Sequence, residues 1–252
     1  MLHHTFHAPK IPNHRPPLIF IHGAGGSFLS WHPHLRRLEG ETVYTIDLPG
    51  HGNSDGMGKQ SMQDYADDVL QFIAENQIQK PILVGHSMGG AIALTLALQQ
   101  LNQITGLALL GSSAKLRVSS VILEKAKDTT TFADAVQLVN EYSFNPDAPK
   151  DLIRLSTEAM LKLNPKTLLG DFLACDSFDV TGKLNIIQVP TLILCGTLDV
   201  MTPPKFSKSL AEQIPQSQLH LLEKTGHMLM LEQPDAVAKL LKQFLDEVPP
   251  LS

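Results

Sequence analysis

The sequence predicts an α/β fold, a mostly parallel sheet covered by helices on both faces. Three observations predict it. Short apolar, strand-like runs alternate with stretches of helical length and spacing along most of the 252 residues. One such run, Ile82-Leu83-Val84, stops at the turn Gly85-His86-Ser87-Met88-Gly89 and continues at once as a buried helical pattern. With 43% hydrophobic residues, the chain can bury one large core, and α/β folds of this size are commonly one domain.

The elements follow in order. Leu18-Ile19-Phe20-Ile21 is apolar throughout, the pattern of a strand buried on both faces. Residues 42–46, 82–84, 107–110, 191–194 and 219–222 are strand-like too. Residues 28–38, Met62–Glu75, 90–100, 204–212 and 234–246 have helical length and spacing, and Pro204 and Pro234 stand where a first helical turn accepts proline. The run from Ala91 to Leu98 is apolar all round and rich in helix formers, so its helix is expected inside the molecule. Only the stretch 113–178 breaks the alternation, with helix-like segments at 118–127, 132–142 and 150–163 and no strand. It predicts a helical cap inserted into a core built from 1–112 and 179–252, one structural unit overall. Such a cap would lie over the C-terminal ends of the strands, where open α/β sheets bind their ligands.

Glycines at 85 and 89 let neighbouring backbone pass close to the turn, so the side chain of Ser87 stands clear at a helix N-terminus. A serine hydroxyl needs a base, and the base an orienting acid. The apolar strand at 191–194 leads into a loop holding Asp199, and the strand-like segment ending near Glu223 is followed by Thr225-Gly226-His227. Asp176 and Asp179 are rival acids, but neither follows an apolar strand.

Ser87, Asp199 and His227, in that chain order, resemble the triad of the α/β-hydrolase superfamily. The resemblance covers nearly the whole chain. Phe20-Ile21-His22-Gly23-Ala24-Gly25-Gly26 is similar to the family's His-Gly oxyanion loop, and Asp47-Leu48-Pro49-Gly50-His51-Gly52-Asn53-Ser54 to the loop after its fourth strand. Gly-X-X-Asp with a following proline, at 196–203, and Gly-His-Met-X-X-X-Glu-X-Pro, at 226–234, also match. Few residues precede Leu18, so the two opening strands usual in the family are expected to be shortened, to as few as one.

The resemblance implies Ser87 as nucleophile, His227 as general base, Asp199 as its orienting acid, and the amides of Ala24 and Met88 as the oxyanion hole, with Gly25 the less favoured donor. His22 and His51 are expected as loop anchors and Asp47 as a backbone brace. His86 is expected to pack beside the site rather than to react. The substrate is expected against Gly25, Phe28, His86 and Met228 from the core and against Phe132, Val136 and Met160 from the cap, most other apolar cap residues packing the cap onto the core.

These parts imply a serine hydrolase that cleaves carboxylic esters of small to medium acyl chains through an acyl-enzyme. Carbon-carbon bond hydrolysis, lactonase and thioesterase activities need the same constellation and stay open, as does a small-molecule receptor that keeps the triad. Serine rather than aspartate at 87 argues against the dehalogenase and epoxide hydrolase branches. The expected cap holds Lys115, Arg117, Lys125, Lys127 and Arg154 without an arginine cluster, which favours a neutral substrate. A net charge of −5 offers no basic field for nucleic acid or an anionic membrane. Cys175 and Cys195 suit a reducing compartment without a disulfide. None of the 11 histidines shows a recognised ligand spacing, so neither metal nor cofactor is expected. The N-terminus lacks a cationic segment leading into a long apolar run, which makes the cytoplasm the expected location. Monomer and homodimer both stay open.

Overall fold

The computed structural model describes residues 1–99 and 103–250. Seven strands form one sheet: β1 (His4–His7), β2 (Leu18–Ile21), β3 (Val43–Ile46), β4 (Ile82–His86), β5 (Gly106–Leu110), β6 (Thr191–Gly196) and β7 (Ser217–Leu222), in the order β1-β3-β2-β4-β5-β6-β7. β1 runs antiparallel to β3 at one edge, and every other pair is parallel. The C-terminal ends of six strands therefore open on the same side.

Along the chain the helices are α1 (Pro33–Arg36), α2 (Met62–Glu75), α3 (Met88–Gln99), α4 (Ser120–Lys127), α5 (Phe132–Ser143), α6 (Lys150–Leu161), α7 (Pro165–Ser177), α8 (Pro204–Gln213), α9 (Leu229–Glu232) and α10 (Pro234–Glu247). The pleat sorts the strand side chains between two core layers. Ile19, Ile21, Leu83, Leu107, Leu109 and Ile193 pack with α2, α3 and α8. Leu18, Phe20, Ile82, Val84, Ala108 and Leu192 pack with α1, α9 and α10 on the other face. With both faces covered, the central strands carry unbroken apolar runs. α3 is buried from Met88 to Ala97, which explains why its sequence is apolar all round. Among the described residues no helix is long and apolar enough to cross a membrane.

Four helices, α4 to α7, lie between β5 and β6. At the start and end of this excursion Lys115 and Asp179 form an isolated antiparallel bridge, and their side chains form an ion pair at 2.7 Å. Within it Ile122, Ala126, Phe132, Val136, Leu168 and Phe172 make a third apolar cluster.

Some expectations are corrected. The continuous helix at 28–38 is a 3-10 turn at Phe28–Ser30 followed by the short α1. Pro33 removes a donor and holds His32 extended, at ψ 144°, which separates the two. One strand, the mixed-polarity edge strand β1, precedes Leu18 among the described residues, as the shortened opening predicts, although its residues were not located in advance; α7 was not foreseen. The expected helix end at Gln100 and the last residues of the core, 251–252, lie outside the described residues.

Leu94 of α3 is fully buried whereas Leu155 of α6 is 55% exposed. Leu94→Ala is therefore expected to cost about 2–5 kcal/mol in urea unfolding and Leu155→Ala less than about 1 kcal/mol; equal costs would contradict the burial of α3.

Candidate active site

A sharp turn joins β4 to α3. Ser87, half-buried between them, has φ of +53°, in the left-handed region where a non-glycine residue is strained. Its amide donates to the Leu110 carbonyl at 2.9 Å, and its own carbonyl accepts from the Ser112 hydroxyl at 2.9 Å and the Gly90 amide at 2.9 Å. A Cβ on Gly85 would overlap the Gly89 carbonyl, and one on Gly89 would overlap the Ile21 carbonyl. Strand and helix thus cross in contact only because both residues are glycine, and the crossing fixes the turn.

Two strands away the loop after β6 presents Asp199, and one strand further the loop after β7 presents His227. His227 Nδ1 lies 2.8 Å from Asp199 Oδ2. Facing a carboxylate, Nδ1 carries the proton, which leaves Nε2 as a lone pair. Asp199 Oδ1 accepts the amides of Met201 at 2.9 Å and Thr202 at 2.8 Å, and the Thr202 hydroxyl donates to Oδ2 at 2.8 Å. Burial pushes the Asp199 carboxyl up, but the facing imidazole and these donors outweigh it and hold the group below its usual range. The His227 amide donates to the Ser143 carbonyl at 2.8 Å, and His86 Nε2 donates to the His227 carbonyl at 3.0 Å. The rival acids are engaged elsewhere: Asp179 with Lys115, and Asp176 with the Val118 amide at 3.1 Å.

The third element is the loop after β2. His22 Nδ1 donates to the Gly23 carbonyl at 2.8 Å, and its Nε2 accepts the Leu48 amide at 3.0 Å. In this loop the Gly25 amide is bound to Asp171 Oδ2 at 2.8 Å and the Gly26 amide to the Gly23 carbonyl at 3.1 Å. Among the described residues the Ala24 amide has no acceptor, nor has the amide of Met88, the first residue of α3. Asp47 braces the adjoining loop by accepting the amides of Phe28 at 2.6 Å and Asn53 at 3.0 Å.

Ser87, His227 and the loop from Gly23 to Gly26 line one cavity of about 640 Å³. Phe28, His86, Met160 and Met228 line it as well. Phe132 and Val136, expected against the substrate, do not. They turn inward among Ile122, Ala126 and Leu168, and the same helix presents Val139, Asn140 and Ser143 to the cavity instead. Phe132, Val136, Val139, Asn140 and Ser143 lie on one buried stripe of α5, whose first turns pack inward and whose last turns meet the cavity, so hydrophobic spacing gave no means of choosing between them. Sequence reasoning also missed Asp171 and Thr202. Thr202 carries a readable signal, as a hydroxyl three residues past the loop carboxylate; Asp171 carries none. Among the described residues no cluster of His, Cys, Asp and Glu could hold a metal ion.

Residues 16–234 match the family model described as α/β hydrolase fold. The chain is similar to the pimeloyl-(acyl-carrier protein) methyl ester esterase of Vibrio atlanticus, with 27% identity over 91% of this chain and 94% of that protein. It is also similar to 3-oxoadipate enol-lactonase 1 of Acinetobacter baylyi, with 26% identity over 94% and 91%. In fold it resembles the crystal structure of the enol-lactonase from Burkholderia xenovorans LB400, at a TM-score of 0.90 and 24% identity over 98% of this chain and 96% of that one.

Two buried histidines tie the loops of this site to pH. Burial, then the charge of His51, holds His22 well below the usual range, and burial, then His227, brings His86 down to about 3. Above about pH 6.5 both are neutral folded or unfolded; below it the unfolded chain takes up protons that the folded chain refuses. Stability is therefore expected to fall on acidification from about pH 6.5, by up to about 1.4 kcal/mol per pH unit for each histidine. His86→Asn should flatten the urea-derived slope between about pH 6 and pH 4 by about one proton. An unchanged slope would mean that His86 titrates normally.

Proposed function

The chain belongs to the α/β-hydrolase fold family, and from that premise we propose that it is a carboxylic ester hydrolase in which Ser87 is the nucleophile, His227 the general base and Asp199 the acid that orients it. The observation that carries the reading is the shared cavity: a strained serine, an imidazole with one committed nitrogen and the acceptor-free Ala24 amide all border it, and the acceptor-free Met88 amide directly follows the serine.

In this reading the helices between β5 and β6 form a cap over the strand ends. Ser87 Oγ attacks the ester carbonyl as its proton passes to His227 Nε2, and Asp199 holds the ring in that tautomer and stabilises the imidazolium. The carbonyl oxygen becomes an oxyanion received by the Met88 and Ala24 amides, the first of which also lies at the positive end of α3. Collapse expels the alcohol, which takes the proton from His227. Water then attacks the acyl-enzyme with His227 again as base, and the acid leaves. A mostly apolar cavity of about 640 Å³ suits a small to medium acyl chain. The similarity to a 3-oxoadipate enol-lactonase supports lactones as a second substrate class, since opening a cyclic ester uses the same parts.

Steady-state hydrolysis of p-nitrophenyl esters of increasing acyl length, alongside simple γ- and δ-lactones, tests the reading. Ser87→Ala and His227→Ala are each expected to lower kcat by on the order of 10⁴-fold or more, with no additional loss when combined. Turnover indifferent to Ser87→Ala would overturn it.

A further inference from the structure

Building on that ester-hydrolase reading, we infer that Asp171, a carboxylate on cap helix α7, is a positioning residue of the oxyanion hole: by fixing the Gly25 amide it sets the Ala24 amide toward the substrate. Asp171 is fully buried. Its Oδ2 accepts from the Gly25 amide at 2.8 Å and from His51 Nε2 at 2.8 Å, and its Oδ1 accepts from the Tyr65 hydroxyl. Three donors from three separate loops and helices of the core thus converge on one side chain of the cap.

The arrangement is electrostatically closed. His51 Nδ1 faces the Pro49 carbonyl at 3.0 Å, so both ring nitrogens point at acceptors and the ring is suited to carry two protons opposite the Asp171 charge. Burial opposes that charge on His51, yet the Asp171 carboxylate raises its affinity for protons above the usual level. His22, whose ring centroid is 4.9 Å away, stays neutral and pins the first residue of the same loop.

The loop itself leaves little choice. Gly25 has φ of +66°, and a Cβ there would lie 2.8 Å from Leu168 Cδ1 and 3.0 Å from Met160 Cε, so the cap presses directly on its backbone. With His22 holding Gly23, Asp171 holding Gly25 and Gly26 folded back on Gly23, the Ala24 amide is the one donor at the centre of the loop left for a ligand. Without the carboxylate, the Gly25 amide would be free to turn and would carry Ala24 with it. The interaction made only with the oxyanion would then weaken, while ground-state binding would not.

Asp171→Ala is therefore expected to lower kcat by about tenfold to a hundredfold, with KM changed less than about threefold. Rates are read per active site, titrated with a p-nitrophenyl phosphonate. An aryl trifluoromethyl ketone, whose carbonyl adds Ser87 Oγ to give an oxyanion in the hole, should lose affinity by the same factor. Asp171→Asn, which keeps one acceptor for Gly25 and loses the charge, should fall between the two. Lower thermal stability with kcat per titrated site and ketone affinity unchanged would overturn the inference. Should Asp171→Ala not fold, Asp171→Asn carries the test: ketone affinity weakened by at least about threefold at constant KM supports it, and equality with the wild type overturns it. A wild type inert toward every ester would instead remove the reading on which the inference rests.

Discussion

The left-handed turn at Ser87 is the constraint around which the other parts are arranged. A non-glycine residue in that region costs of order 1–3 kcal/mol and persists only where its surroundings over-determine it. Here β4 lies in the middle of the sheet, α3 is buried almost throughout, and both neighbouring strands take part: the Ile21 carbonyl of β2 lies against Gly89, and the Leu110 carbonyl of β5 holds the Ser87 amide. Those neighbours also deliver the rest of the site, since β2 runs into the His22–Gly26 loop and β5 into Gly111. A Cβ at Gly111 would stand 3.1 Å from His227 Nδ1. The geometry that strains the serine is thus the geometry that gathers its partners.

Elements buried on two faces were the legible ones. β2, β4, β5, β6 and α3 carry long apolar runs because almost no side of them meets water. β1 pairs on one side only, and β7, the other edge, is partly exposed along most of its length, so neither announces its limits by hydrophobicity alone. α7 did have a signal, Asn164-Pro165, in which the Asn164 side chain accepts the Lys166 amide and proline takes the first helical position. It lay just past the helix-like segment at 150–163, in the part of 113–178 to which no helix was assigned. For the site, contiguous motifs pointed to Ser87 and His227, which border the cavity, and to Asp199, buried behind His227, because a turn that exposes a nucleophile needs particular neighbours in sequence. Asp171 has no such neighbours: its partners Tyr65, His51 and Gly25 lie 106, 120 and 146 positions away.

In the proposed reading, the helices between β5 and β6 are fastened to the core at the loops assigned to the chemistry. The Ser143 carbonyl, at the end of α5, accepts the amides of both His227 and Met228, and Glu232 gathers the Gly226 amide at 2.9 Å and the Asn145 side chain at 2.5 Å. This gives a physical reason for the glutamate in the Gly-His-Met-X-X-X-Glu pattern, which touches neither the serine nor the acid. One attachment thus sits on the base loop and the Asp171 attachment on the oxyanion loop. A rigid-body shift of the cap would disturb the proton acceptor and the charge acceptor together.

Among the described residues two histidine-aspartate pairs are buried on both sides, at the same separation of 2.8 Å: His227 with Asp199 and His51 with Asp171. Burial and distance do not distinguish them; the second ring nitrogen does. His51 Nδ1 is taken by the Pro49 carbonyl, so that ring can gain no proton from a ligand and serves as a brace. His227 Nε2 has no partner among the described residues, and the ring borders the cavity that Ser87 enters. A base must have one nitrogen fixed and the other free, and of these two pairs the one at the ends of β6 and β7 meets both conditions. In the proposed reading the same buried carboxylate-imidazole contact therefore supports proton transfer in one place and loop geometry in the other, according to what the imidazole faces on its far side.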